Sequence, residues 1–135
     1  MTVEKIDHIG IAVESIESWL GYYRDVLGLE YLGSEEVPEQ KVRVAFLKIG
    51  ESKFELLEPI SEESPIAGFL EKRGGGIHHI AVTVDNISEE LSRHRAAGAR
   101  LIDIEARNGA HNMKIAFVHP KSSGGVLLEL CQAPE

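Results

Sequence analysis

Residues 6–13 alternate in the two-residue period of a half-buried strand, and the chain then switches to a helical period. Ser15 stands as the N-cap, and Ile16, Trp19, Leu20, Tyr23 and Leu27 fall on one helical face until Gly28 ends it. Three strands are predicted next, over 29–37, 42–49 and 53–58, with Gly50-Glu51-Ser52 as the turn between the last two. Ser64-Pro65 then opens a short helix that runs to Arg73, before the connector Gly74-Gly75-Gly76. Beyond it the order is repeated: a strand over 77–84, a helix over about 88–97, and strands near 100–105, 113–119 and 126–131.

The repetition extends to the residues themselves. Asp7-His8-Ile9-Gly10-Ile11-Ala12-Val13 matches His78-His79-Ile80-Ala81-Val82-Thr83-Val84 at an offset of 71 residues, and Ala45-Phe46-Leu47 matches Ala116-Phe117-Val118 at the same offset. Phe54-Glu55-Leu56 and Leu128-Glu129-Leu130 lie 74 apart, as expected if the second copy carries three extra residues in the turn at 121–125. The pattern predicts an α+β chain built as two tandem βαβββ modules. The modules cover about 3–60 and 77–133 of a single domain over 1–135, with a helical connector at 64–76.

Four polar residues interrupt these apolar strands. His8 shares its strand face with Gly10 and Ala12, and His79 shares its face with Ala81 and Thr83, so small neighbours leave room around each ring. The repeat pairs His79, rather than His78, with His8. Glu55 and Glu129 sit among leucines that point to both faces, where a lone carboxylate would be costly without a cation, a metal or a proton. Taken alone, either histidine reads more readily as a hydrogen-bonded core or surface residue than as a ligand, and either glutamate reads equally well as a residue on a solvated strand face. Together they form a His-Glu-His-Glu set, two nitrogen and two oxygen donors at equivalent places, which a pseudo-twofold pairing could bring to one divalent metal.

Composition narrows the classes. The 135 residues are 43% hydrophobic, enough for the core of one ordinary domain. No apolar run approaches a membrane span, and the N-terminus lacks a signal-peptide layout, so the cytoplasm is the expected location. A net charge of −8 without a Lys/Arg cluster argues against nucleic acid as a partner. Cys131, the single cysteine, can form no internal disulfide and no paired-cysteine metal motif.

Four motifs carry a family resemblance. They are Ile6-Asp7-His8-Ile9-Gly10-Ile11-Ala12-Val13, Ser64-Pro65-Ile66-Ala67-Gly68-Phe69-Leu70, Gly76-Ile77-His78-His79-Ile80-Ala81, and His119-Pro120-Lys121 leading into Gly125-Val126-Leu127-Leu128-Glu129-Leu130. Over nearly its whole length the chain resembles the vicinal-oxygen-chelate (glyoxalase/bleomycin-resistance) superfamily and, within it, the methylmalonyl-CoA epimerase family. That resemblance implies a cup-shaped mixed sheet around a divalent ion, Co2+ before Mn2+, Ni2+, Zn2+ or Mg2+, held by His8, Glu55, His79 and Glu129. It implies an acyl-CoA substrate whose (R) and (S) forms interconvert by metal-assisted removal and return of an α-proton, and an enzyme expected to be a homodimer. Glu129 matches the family's base. Some members place an acid where this chain has Val44, which cannot carry a proton, so Glu55 is the leading second base, ahead of Glu39, Lys41 and His111. Lys121-Ser122-Ser123-Gly124-Gly125 reads either as a carboxylate-holding loop or as a plain hairpin turn. A glyoxalase I type lyase, acting on a glutathione hemithioacetal, would use the same four ligands. A ligand-sequestering module of the same fold would not need them all.

Overall fold

A computed structural model describes residues 3–134 and divides into two compact units, one spanning His8–His78 and the other combining the chain's start through Asp7 with His79 onward. Among the described residues there are eight strands and three α-helices, the α+β class expected from the sequence. Among the described residues no helix is long and apolar enough to cross a membrane.

In the first unit the strand order is β2 (Glu30–Val37), β3 (Val42–Ile49), β4 (Ser52–Pro59) and β1 (Val3–Ala12), of which β1 contributes its second half. β1 runs parallel to β4, and β4, β3 and β2 are antiparallel neighbours. Helix α1 (Ile16–Tyr23) is capped by Ser15, whose side chain accepts from Ser18 N. It packs Ile16 and Leu20 on Ile11, Val13, Ala45, Leu47 and Leu56, one face of the sheet. The helix stops earlier than the periodicity predicts: residues 24–27 form turns, and Gly28 at φ +85° completes the reversal. Tyr23 packs against this core, whereas Trp19 and Tyr22 are exposed. Helix α2 (Pro65–Arg73) matches its sequence prediction at both ends. Ser64 Oγ accepts from Ile66 N, Pro65 fills the first turn, and Gly74 adopts the left-handed C-cap.

The second unit repeats the plan with order β5 (Gly76–Val84), β8 (Leu128–Gln132), β7 (Lys114–Val118) and β6 (Arg107–Asn108), β5 entering this unit at His79. Helix α3 (Ile87–Ala96) starts one residue before the predicted span, because Asn86 Oδ1 accepts from Glu89 N as the cap. Ile87 and Leu91 pack on Val84, Ala116, Val118 and Leu130.

The predicted strand over 100–105 does not form. Leu101 makes one isolated bridge to Val118, and the next paired strand is the two-residue β6. The cause is a side-chain contact: the Asp103 carboxylate accepts from Phe117 N at 2.8 Å, in place of a ladder carbonyl, and Ile102 and Ile104 are left exposed. β8 begins at Leu128 rather than Val126, because Gly124 and Gly125 hold positive φ and the Ser123 hydroxyl donates to Val126 O.

Candidate active site

Each unit carries one buried histidine–glutamate pair, placed by the same register. In the first, parallel pairing sets Glu55 opposite Gly10, two residues beyond His8 on the same face of β1. With no side chain at Gly10 to intervene, His8 Nδ1 lies 3.0 Å from Glu55 Oε2, their side chains 6% and 10% exposed. Phe46 stands opposite Glu55 on β3, and Val44 and Leu57 are buried. Val44 is therefore a buried apolar side chain, unable to carry a proton.

In the second unit Glu129 is opposite Ala81, two residues beyond His79. His79 Nε2 lies 3.0 Å from Glu129 Oε1, with side chains 6% and 7% exposed. Phe117, paired with Glu129 on β7, sets its ring edge-on to His79 at 5.5 Å. One contact was not foreseen: the buried Cys131 thiol donates to Glu129 Oε2 at 3.0 Å. The signal was available, since residues i and i+2 of a strand share a face.

The other candidates stand elsewhere. Glu39 is exposed on the turn Pro38–Gln40, and Lys41, at φ 56°, pairs with Glu63 at 3.7 Å. His111, at φ 57° and exposed, borders a cavity of about 640 Å³ in the second unit together with Asp7, Thr83 and Met113. His119 caps the turn Pro120–Ser122 by accepting from Lys121 N at 3.0 Å, a structural role. His78 meets the Phe69 ring edge-on at 5.0 Å. The hydroxyls of the 121–125 loop serve the fold itself: Ser122 Oγ accepts from Arg100 N, and Ser123 Oγ donates to backbone carbonyls.

The chemistry of each pair fits a divalent ion. An imidazole nitrogen and a carboxylate oxygen about 3.0 Å apart have the spacing of adjacent ligands on one ion, for bonds of about 2.1 Å meeting near a right angle. Nitrogen with carboxylate oxygen also suits first-row divalent metals. Buried carboxylates in apolar surroundings are, in addition, suited to moving protons, because little water competes for them.

The fold and these pairs define a class. The chain belongs to the glyoxalase/bleomycin resistance protein/dioxygenase superfamily, whose model matches residues 7–117. Within it, the chain belongs to the methylmalonyl-CoA epimerase family. It is 42% identical to the ethylmalonyl-CoA/methylmalonyl-CoA epimerase of Cereibacter sphaeroides over 132 residues, covering 96% of this chain and 98% of that protein. It is 38% identical to the crystal structure of methylmalonyl-CoA epimerase from Mycobacterium tuberculosis, with a TM-score of 0.94 over 98% and 90% of the two chains. A Streptomyces coelicolor methylmalonyl-CoA epimerase variant, in complex with 2-nitronate-propionyl-CoA, is 37% identical with a TM-score of 0.94 over 99% and 100%.

Proposed function

We infer that this chain is an enzyme that interconverts (R)- and (S)-methylmalonyl-CoA. The observation that carries the reading is the duplicated buried His–Glu pair, at 3.0 Å in each unit, in a chain 42% identical over nearly its full length to an enzyme of that name. His8, Glu55, His79 and Glu129 together hold one divalent ion, Co2+ first among Mn2+, Ni2+, Zn2+ and Mg2+, and the two modules work as one domain. When bound, the ion supplies Lewis-acid stabilisation of the negative charge that develops on the thioester oxygen.

The protein's own groups move the proton. The Glu129 carboxylate takes the α-proton from one face of the substrate carbon, and the C–H electron pair passes into the enolate. Glu55 serves the opposite face, where it passes a proton to the carbon through the carboxyl oxygen left free by the ion, which inverts the centre. The cycle leaves Glu129 protonated and Glu55 ionised, ready for the reverse epimer or for exchange with solvent. The enzyme works as a homodimer in the cytoplasm.

The test is exchange of the methylmalonyl-CoA α-proton in deuterated water, with cobalt-loaded and chelator-stripped protein, beside methylglyoxal plus glutathione. Metal-dependent exchange with inversion is expected. Turnover of the hemithioacetal alone would move the assignment to a glyoxalase, and silence on both substrates would leave a binding module.

A further inference from the structure

We propose that Asp103 and Arg107 are positioning residues, which clamp Phe117 and through its ring hold the His79 imidazole in place beside Glu129, a reading that rests on the site inferred above. All five residues belong to the second unit. The two oxygens of Asp103 have separate tasks: Oδ2 accepts from Phe117 N at 2.8 Å, and Oδ1 pairs with Arg107 Nε at 3.1 Å. The Arg107 guanidinium then lies 5.5 Å from the Phe117 ring centroid, within reach of a cation–π attraction. The same ring meets His79 at 5.5 Å, with the two planes 87° apart. The line of contact therefore runs from a partly exposed ion pair to a buried imidazole.

The clamp exists because residues 100–105 do not form a strand. Ile102 N and Asp103 N both donate to Phe117 O, at 2.9 and 3.3 Å, and the Asp103 side chain takes Phe117 N. One short segment thus holds both backbone polar groups of Phe117, and Arg107, four residues beyond Asp103, reaches the ring. A regular antiparallel partner would fill the Phe117 amide with a carbonyl and leave no carboxylate there to hold an arginine. The first unit shows that alternative: Phe46, opposite Glu55, has as its ladder partner Gly33, which has no side chain. The clamp belongs to the unit that carries Glu129, the base.

The consequence falls on the His79–Glu129 pair. An imidazole that binds an ion or orients a carboxylate works over a narrow range of ring angles, and the groups behind it set that angle. Glu129 is the register partner of Phe117, and His79 Nε2 lies 3.0 Å from Glu129 Oε1, so a shift of the ring reaches both members of the pair. Such a clamp acts on the alignment of the reacting groups rather than on the affinity for substrate.

The test measures Co2+ affinity by competition with a chelator, together with kcat and KM for methylmalonyl-CoA at saturating Co2+. Asp103→Ala is expected to weaken Co2+ binding and to lower kcat by about tenfold each, with KM within about twofold of the parent. Asp103→Asn, which keeps an acceptor for Phe117 N, is expected to recover most of both. Arg107→Met, at an exposed position that the fold tolerates, is expected to cost about threefold in each. Parent-like Co2+ affinity and kcat in Arg107→Met, or an Asp103→Asn no better than Asp103→Ala, would overturn the clamp. The ring current of Phe117 on the His79 ring protons gives a readout independent of turnover: in proton NMR without added cobalt, those resonances should move in Arg107→Met. If they move while the parent binds no Co2+ and turns over no thioester, the epimerase reading fails and the clamp stands; if they stay, the clamp fails.

Discussion

The two units are built on one plan and differ at the carboxylate. Both place a histidine two residues before the small residue that faces a glutamate, and both put a phenylalanine opposite that glutamate. Both even cap their first helix from the last strand, Glu58 Oε1 accepting from Ile16 N and Gln132 Oε1 from Ile87 N, each at 2.8 Å. Glu129, however, accepts from the Cys131 thiol, whereas the position equivalent to Cys131 in the first unit is Leu57, an apolar side chain. The imidazole contacts differ too, through Nδ1 in His8 and Nε2 in His79. Duplication preserved the frame that aims the donors, and divergence tuned what each carboxylate experiences.

The largest way to break this comparison is Glu129→Gln, which keeps an oxygen donor and removes the base. Turnover should fall by roughly a thousandfold, and activity equal to the parent would end the base assignment. Glu55→Gln should separate the two roles: exchange of the α-proton persists from one epimer while inversion is lost, measurable by mass spectrometry in deuterated water. Next, chelator treatment should remove nearly all turnover, with recovery on added Co2+. His8→Ala and His79→Ala should each weaken metal affinity by about ten- to a hundredfold if the halves contribute equally. A large effect from one and none from the other would confine the ion to a single unit.

A smaller effect tests the asymmetry itself. Cys131→Ala should lower kcat about tenfold by freeing the Glu129 carboxylate, and Cys131→Ser, which keeps a donor, should recover most of it. Leu57→Ala should instead cost about 2–4 kcal/mol of stability by leaving a cavity, read from urea unfolding. The smallest effects belong to the shared frame. Glu58→Ala and Gln132→Ala should each cost about 1 kcal/mol through loss of a helix cap, and unequal costs would show that the repeated cap has diverged.

Much of this was legible along the chain because it is local. Helix α2 could be bounded at Ser64 and Gly74 from cap chemistry alone, and β3 from its apolar run between turn signals. Ile102 and Ile104 mimic a strand's alternation, so periodicity predicts a strand over 100–105 that does not form. Nothing local reveals that the Asp103 side chain takes the Phe117 amide, a contact between residues distant in the chain. The caps from Glu58 and Gln132 escaped for the same reason, each acting across more than forty residues of sequence.

By itself the sequence determined the duplicated βαβββ order, because periodicity and turn residues act over a few neighbours. It also determined which histidines and glutamates are equivalent, because the repeat offset carries that information. Only the tertiary structure decided that Glu55 and Glu129 are buried within 3.0 Å of an imidazole, that Cys131 donates to Glu129, and that Arg107 lies over Phe117. These depend on strand register and side-chain direction, which arise when distant segments pair and which no single stretch of chain encodes.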